Sequence, residues 1–190
     1  MEGTMNIVVG IAGATGTIYA VKLLEVLKAQ PDVTTHVIIS NWAKTNLEVE
    51  TMYQLDYLEG LADVLYDNAN LGASVSSGSF LNDGMIIMPC SMKTLAAISH
   101  GYSDSLISRT ADVMLKEGRK LVLCPRETPL NAIHLENMLK LAKLGVSIVP
   151  PMPSFYNSPQ SIDDLVTHQV MKVLDQFGIH IRHDKRWSGV

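Results

Sequence analysis

A chain of 190 residues, 47% hydrophobic and 18% charged, has enough apolar surface for one substantial core and too little charge for a disordered segment. Its formal net charge of −4 offers no basic field for nucleic acid. No apolar run approaches the ~18 residues of a membrane span and the N-terminus lacks a basic-then-apolar leader pattern, so a soluble, cytoplasmic, single-domain protein (1–190) is expected.

Taken in chain order, the first predicted strand is Asn6–Ile11, running into the glycine-spaced turn GIAGATG at 10–16. A helix over Tyr19–Leu27 follows, placing Val21, Leu24, Val26 and Leu27 near one face. Thr35–Ile39 and Gly84–Met88 are the next strands, and a helix starts around Ser91. Then come a helix over Asp104–Lys116, a strand over Lys120–Leu123, a helix over Ile133–Leu144 and a strand over Val146–Val149. The last helix, Ser161–Phe177, opens on a capping-box-like Ser161-Ile-Asp-Asp. Strands separated by helices imply right-handed βαβ units, hence an α/β fold: a doubly wound parallel sheet, Rossmann- or flavodoxin-like, in three layers.

Such sheets bind ligands beyond the carboxyl ends of their strands. The spacing G-x-x-G-x-x-G departs from the dinucleotide fingerprint and lacks the Lys-Ser/Thr of a P-loop. Gly13 and Gly16 fit a phosphate or ring cradle at a helix N-terminus, and a tight turn needing only small residues fits equally well. The second strand ends in Ser40, where an adenosine ribose would want an acidic residue; this disfavours NAD and leaves a mononucleotide such as FMN open. Ser91 is either an N-cap or a flavin ligand, and Arg126 either a surface ion pair or a fork for an anion. Cys90 and Cys124 read as buried free thiols, and no histidine spacing or G-x-S-x-G elbow points to a metal or a triad.

Several segments together resemble the UbiX-type flavin prenyltransferases, also known as the B subunit of phenolic acid decarboxylase systems. They are Gly13-Ala14-Thr15-Gly16, Ile39-Ser40, Ser76-Ser77-Gly78-Ser79-Phe80, Pro89 to Leu95, Arg109 to Val113 and Leu115-Lys116-Glu117. Leu121 to Pro129, His134 to Met138, and Phe155-Tyr156 with Pro159-Gln160-Ser161 complete the set, in order along the chain. Pro-Arg-Glu-Thr-Pro combined with Phe-Tyr…Pro-Gln-Ser carries the most weight.

The resemblance implies metal-independent transfer of a dimethylallyl group from dimethylallyl phosphate to N5 and C6 of reduced FMN. The prenylated FMN would serve a separate UbiD-type decarboxylase, and the enzyme would be a homododecamer with sites where subunits meet and the region from about 161 at interfaces. It assigns Gly13, Ala14, Thr15, Ser40 and Ser91, Met92, Lys93 and Thr94 to the flavin, and Arg126 to flavin and phosphate. Tyr156 and Lys172 would grip the prenyl phosphate, with Lys116, Glu50 and Glu127 around it; Trp187 would offer a π-face to an allylic cation. Glu50 is the expected acid or base. Thr15 stands where the family more often has serine, and Lys172 where it has arginine. The rival expectations are an FMN-dependent cysteine-peptide decarboxylase and a non-catalytic FMN carrier.

Overall fold

The computed structural model describes residues 4–181 and 186. Its strands are β1 (Met5–Ile11), β2 (Val33–Ile39), β3 (Val64–Asp67), β4 (Gly84–Cys90), β5 (Lys120–Pro125) and β6 (Ser147–Ile148). They form a six-stranded sheet in the order β3-β2-β1-β4-β5-β6, every pairing parallel. The helices are α1 (Thr17–Lys28), α2 (Asn41–Glu50), α3 (Leu55–Gly60), α4 (Met92–His100), α5 (Leu106–Lys116), α6 (Ala132–Lys143) and α7 (Ile162–Asp175).

The apolar runs read as strands are buried on both faces, so alternate residues feed two different cores. Ile7, Val9 and Ile11 of β1 pack with Leu24 and Leu27 of α1, Leu47 of α2 and Val170 and Leu174 of α7. Val8, with Met85 and Ile87 of β4, packs on the other side with Leu95 of α4, Ile107 and Met114 of α5 and Leu141 of α6. This is the expected three-layer, doubly wound α/β domain.

Three elements escaped the hydrophobic pattern. β3 is a four-residue edge strand with Val64 and Leu65 exposed, too short and too solvated to show an alternation. α2 buries only Ala43 and Leu47, which is less than a helical stripe needs. α3 spans six residues and buries only Leu58. At the other extreme, β6 keeps two residues of the expected Val146–Val149, and α7 starts after its Ser161 cap as read but stops at Asp175.

Candidate active site

Strand order reverses between β1 and β4, and the loops leaving the strands there are stitched into one rim. The Ala12 N–H donates to the Pro89 carbonyl at 3.1 Å, Arg126 N–H to Cys90 at 3.1 Å and Ser40 N–H to Ile11 at 3.0 Å. Onto this rim the chain brings Gly13, Ala14, Thr15, Ser40, Ser91 to Thr94 and Arg126, which sequence had scattered across more than a hundred positions.

The glycines of the first turn have separate reasons. Gly16 lies in the left-handed region at φ 97°, which side chains rarely adopt. At Gly13 a Cβ would sit 2.4 Å from Trp42 Cβ, so the residue is small because α2 approaches it, in addition to any ligand. The N-terminus of α1, read as an anion cradle, already holds an anion from the chain itself. Glu50, the last residue of α2, accepts from Gly16 N–H at 2.7 Å and from the Thr17 N–H and hydroxyl at 3.2 Å each. Burial pushes the Glu50 carboxyl up, but the hydroxyl of Thr15 and these donors outweigh it and hold the group below its ordinary value. Glu50 is therefore ionised at neutral pH, suited to accept a proton. Thr17, fully buried, is a partner that sequence reasoning missed; its hydroxyl at the first helical position was the available signal.

Ser40 and Ser91 do cap helices: Ser40 accepts from Ala43 N–H at 3.2 Å and Ser91 from Thr94 N–H at 3.3 Å. The Ser91 hydroxyl also donates to Thr94 Oγ1 at 3.0 Å, so these oxygens are held in place. Lys93 lies 3.7 Å from Asp104 and is solvent-facing. A cavity of about 310 Å³ opens beside this rim, lined by Ser40, Trp42, Asn68, Lys93 and Ser105 among others. Arg126 is exposed at the end of β5, and its charge faces Tyr19 on the first turn of α1; burial raises the Tyr19 phenol and Arg126 pulls it partly back. Glu127 beside it accepts from Thr128 N–H at 3.0 Å.

Tyr156 and Lys172 belong to a second cluster on α7. The Tyr156 hydroxyl is hydrogen-bonded to His168 Nε2 at 2.9 Å, and Lys172 lies 3.9 Å from Asp175. Arg186 reaches the same Asp175 through its two terminal guanidinium nitrogens, at 2.7 and 3.0 Å, and its charge also faces Tyr156. His168, Asp175 and Arg186 gave no sequence signal, because their roles depend on the chain folding back. Trp187 lies outside the described residues.

Lys116 does not join either cluster within one chain. α5 starts beside Asn68, whose carbonyl accepts from Leu106 N–H at 2.8 Å just past the carboxyl end of β3. Eleven residues at ~1.5 Å each carry its far end about 16 Å toward the amino ends of the strands. There Lys116 pairs with Glu117 against Gly78.

The thiols are inert by environment. Burial pushes Cys90 up to about 12, and Cys124 is raised too, first by burial and then by Cys90. Neither provides the low-pKa thiol of redox or nucleophilic cysteine chemistry.

A doubly wound sheet whose switch-point rim carries fixed hydroxyls, a guanidinium and no acidic residue after β2 is that of a mononucleotide-binding flavoprotein; the hydroxyls suit a ribityl chain and the cations a phosphate or anionic ring edge. The Flavoprotein family model matches residues 1–174. The chain is 63% identical over 184 residues to the flavin prenyltransferase LpdB of Lactiplantibacillus plantarum, covering 97% of this chain and 98% of that one. It superposes with a TM-score of 0.96 at 55% identity on a dodecameric FMN-dependent UbiX-like decarboxylase from Escherichia coli O157:H7, covering 97% and 100% of the two chains. AnUbiX (PadA1), solved with FMN and dimethylallyl pyrophosphate, superposes with a TM-score of 0.93 at 48% identity, covering 98% of each chain. The chain belongs to the flavoprotein family and, within it, to the UbiX-type flavin prenyltransferases.

Proposed function

We infer that this protein transfers a dimethylallyl group from dimethylallyl phosphate to N5 and C6 of reduced FMN, and hands the prenylated FMN to a separate UbiD-type decarboxylase. The observation that carries the reading is the full-length superposition on AnUbiX, whose structure holds FMN together with a dimethylallyl donor. FMN supplies the nucleophilic ring; the protein's own residues bind, orient and move protons.

Breaking the allylic C–O bond leaves a dispersed cation and a phosphate of growing negative charge. Arg126, Lys172 and Lys116 would offset that charge, and the Tyr156 phenol would donate to a phosphate oxygen. Glu127 would help hold these cations in place. Glu50, ionised and held at the α1 terminus, is by its protonation state better suited to take the proton from C6 than to protonate the leaving phosphate. Thr15, Ser40, Ser91, Met92, Lys93 and Thr94 would seat the flavin with Gly13 and Ala14.

Because Lys116 lies at the far end of the sheet, its role requires a second subunit. Exposed apolar residues near the Glu50 helix and the start of α7, such as Met52 at 95% and Ile162 at 78%, support a homo-oligomer, a dodecamer as in the E. coli relative, with the region from 161 at contacts. The test is anaerobic: purified protein, reduced FMN and dimethylallyl phosphate or pyrophosphate, then mass spectrometry of the released flavin. A flavin heavier by one prenyl unit is expected; unmodified FMN from folded, flavin-loaded protein would leave a carrier.

A further inference from the structure

Lys116 stands at the amino ends of the strands, and Arg119, three residues on, fixes what surrounds it. α5 ends in a Schellman motif: Gly118 turns left-handed at φ 63°, its N–H donates to the Leu115 carbonyl at 3.2 Å, and Arg119 N–H donates to the Met114 carbonyl at 2.8 Å. The chain thus reverses just after Lys116 and Glu117 and turns Arg119 back onto the loop between β3 and β4. Its two terminal guanidinium nitrogens donate to the Phe80 carbonyl at 2.7 Å and to the Gly78 carbonyl at 2.6 Å. The rest of the loop is tied to the sheet: Val75 is buried, the Ser74 hydroxyl meets the Tyr66 hydroxyl at 2.9 Å, and the Phe80 ring stands edge-on to His36. Between these anchors Gly78 passes against Lys116. A Cβ there would lie 2.7 Å from the Lys116 ammonium and would strike the Glu117 carboxylate.

We propose that Arg119 is a positioning residue of the half-site that each chain lends to a neighbour: by clamping Gly78 and Phe80 it holds the loop as a wall that fixes the Lys116 ammonium. This rests on the reading above, in which Lys116 serves the prenyl phosphate bound with a second subunit.

A lysine ammonium is a point charge on a flexible stem, so its effect on a growing phosphate charge depends on what confines the stem. Here Glu117 and the backbone of Gly78 confine it. The Glu117 carboxyl is held below its ordinary value, first by the Lys116 hydrogen bond and charge and then by Arg119, so the three groups form one cluster. The connection 68–83 is irregular apart from the 3-10 turn Ser74–Ser76. A planar fork that reaches two carbonyls at once fixes Gly78 and Phe80 relative to the end of α5, which a lysine in its place would do less rigidly.

The test uses the full, assembled, FMN-loaded enzyme and reads kcat and KM for dimethylallyl phosphate separately. Arg119→Ala is expected to lower kcat about tenfold with KM and FMN affinity each within about twofold, because the displaced ammonium acts on charge that develops in the transition state. Arg119→Lys is expected to recover part of that loss. In a Lys116→Ala background, followed by single-turnover mass spectrometry, Arg119→Ala is expected to add little, since it acts through that lysine. Mixed assemblies supply a readout that a general loss of stability would not. Arg119→Ala co-assembled with Glu50→Gln should exceed the mean activity of the two parents, whereas with Lys116→Ala it should stay at that mean, both defects falling on the same half-site. If Arg119→Ala does not fold, Gly78→Ala takes its place: the flexible ends of Lys116 and Glu117 can yield to a methyl group, so the fold is kept, the ammonium is displaced and the same loss of kcat is expected. An unchanged kcat in folded Arg119→Ala, or full additivity with Lys116→Ala, overturns the proposal while leaving prenyl transfer intact. A fully active Lys116→Ala would instead overturn the placing of Lys116 in the site, and this proposal with it.

Discussion

At the scale of single residues, Glu50 shows how a ligand-like motif can serve the chain itself. Its carboxylate neutralises the first turn of α1 and is held below the ordinary carboxylate value by the surrounding donors, despite the burial that opposes this. Replacing it by glutamine keeps an oxygen for Gly16 N–H but removes the proposed base. Glu50→Gln is expected to slow flavin prenylation by about 10²–10³ without loss of FMN, checked by single-turnover mass spectrometry. The acid limb of the wild-type rate, where Glu50 becomes protonated, should lie below the ordinary carboxylate range; a limb near neutrality would show that another group is the base. Lys172 offers a second residue-scale prediction. If Lys172 grips the prenyl phosphate as proposed, its point charge lacks the two parallel donors of a planar fork, so Lys172→Arg is expected to lower KM for dimethylallyl phosphate several-fold. An unchanged or higher KM would show that the lysine is already the fitted partner.

At the scale of elements, the β1–α1 turn and α2 are one unit. Gly13 lets Trp42 of α2 approach, and Glu50 at the other end of α2 returns to cap α1. Gly13→Ala is expected to lower the melting temperature and loosen FMN, and the same substitution in a Trp42→Gly background, which removes the Cβ it would strike, to cost much less. Equal losses in both backgrounds would mean that the glycine is kept for the ligand alone. Gly16→Ala, at φ 97°, should cost about 1 kcal/mol whatever occupies Trp42, measured by denaturant unfolding.

At the scale of the whole molecule, two properties depend on distant parts of the fold. Lys116 lies at the opposite end of the sheet from Arg126, so the proposed site needs two chains. Glu50→Gln and Lys116→Ala should each be nearly inactive alone, yet regain up to about a quarter of wild-type activity when co-assembled in equal amounts, since a site drawing one group from each of two chains then has both native groups in one case of four. No recovery in mixed oligomers would place Lys116 outside the site. The second property is pH dependence of stability. Burial lowers the pKa of His36 on β2, which bonds the Tyr66 hydroxyl at 3.0 Å and packs on Phe80. The folded state therefore favours neutral His36, and its contribution is complete above the unfolded value of 6.5 and is lost as pH falls from there through the folded value. Glu50, Asp63 and Asp175, all lowered, add a separate loss that starts only in the carboxylate range. His36→Asn should flatten the decline of melting temperature between about pH 7 and 5 and leave the more acidic decline in place. An unchanged slope in that upper window would remove His36 as its cause.

What the sequence determined by itself was the part that repeats locally. Continuous apolar strands alternating with helical stripes specify a parallel sheet buried on both faces, and the runs ending in Gly13-Ala14-Thr15-Gly16, Pro89-Cys90-Ser91 and Pro125-Arg126 mark the strand ends at which doubly wound sheets bind ligands. Resemblance could nominate Glu50, Tyr156, Lys172 and Lys116 and group them around one phosphate, but not say what each side chain touches within the fold. Only the tertiary structure decided that Glu50 occupies the α1 terminus, that Tyr156 leans on a buried histidine and that Lys116 faces away from the rim. The reason is physical: periodicity records which side of a strand or helix meets the core, whereas a hydrogen bond between residues 34 positions apart, as from Gly16 to Glu50, leaves no period in the sequence.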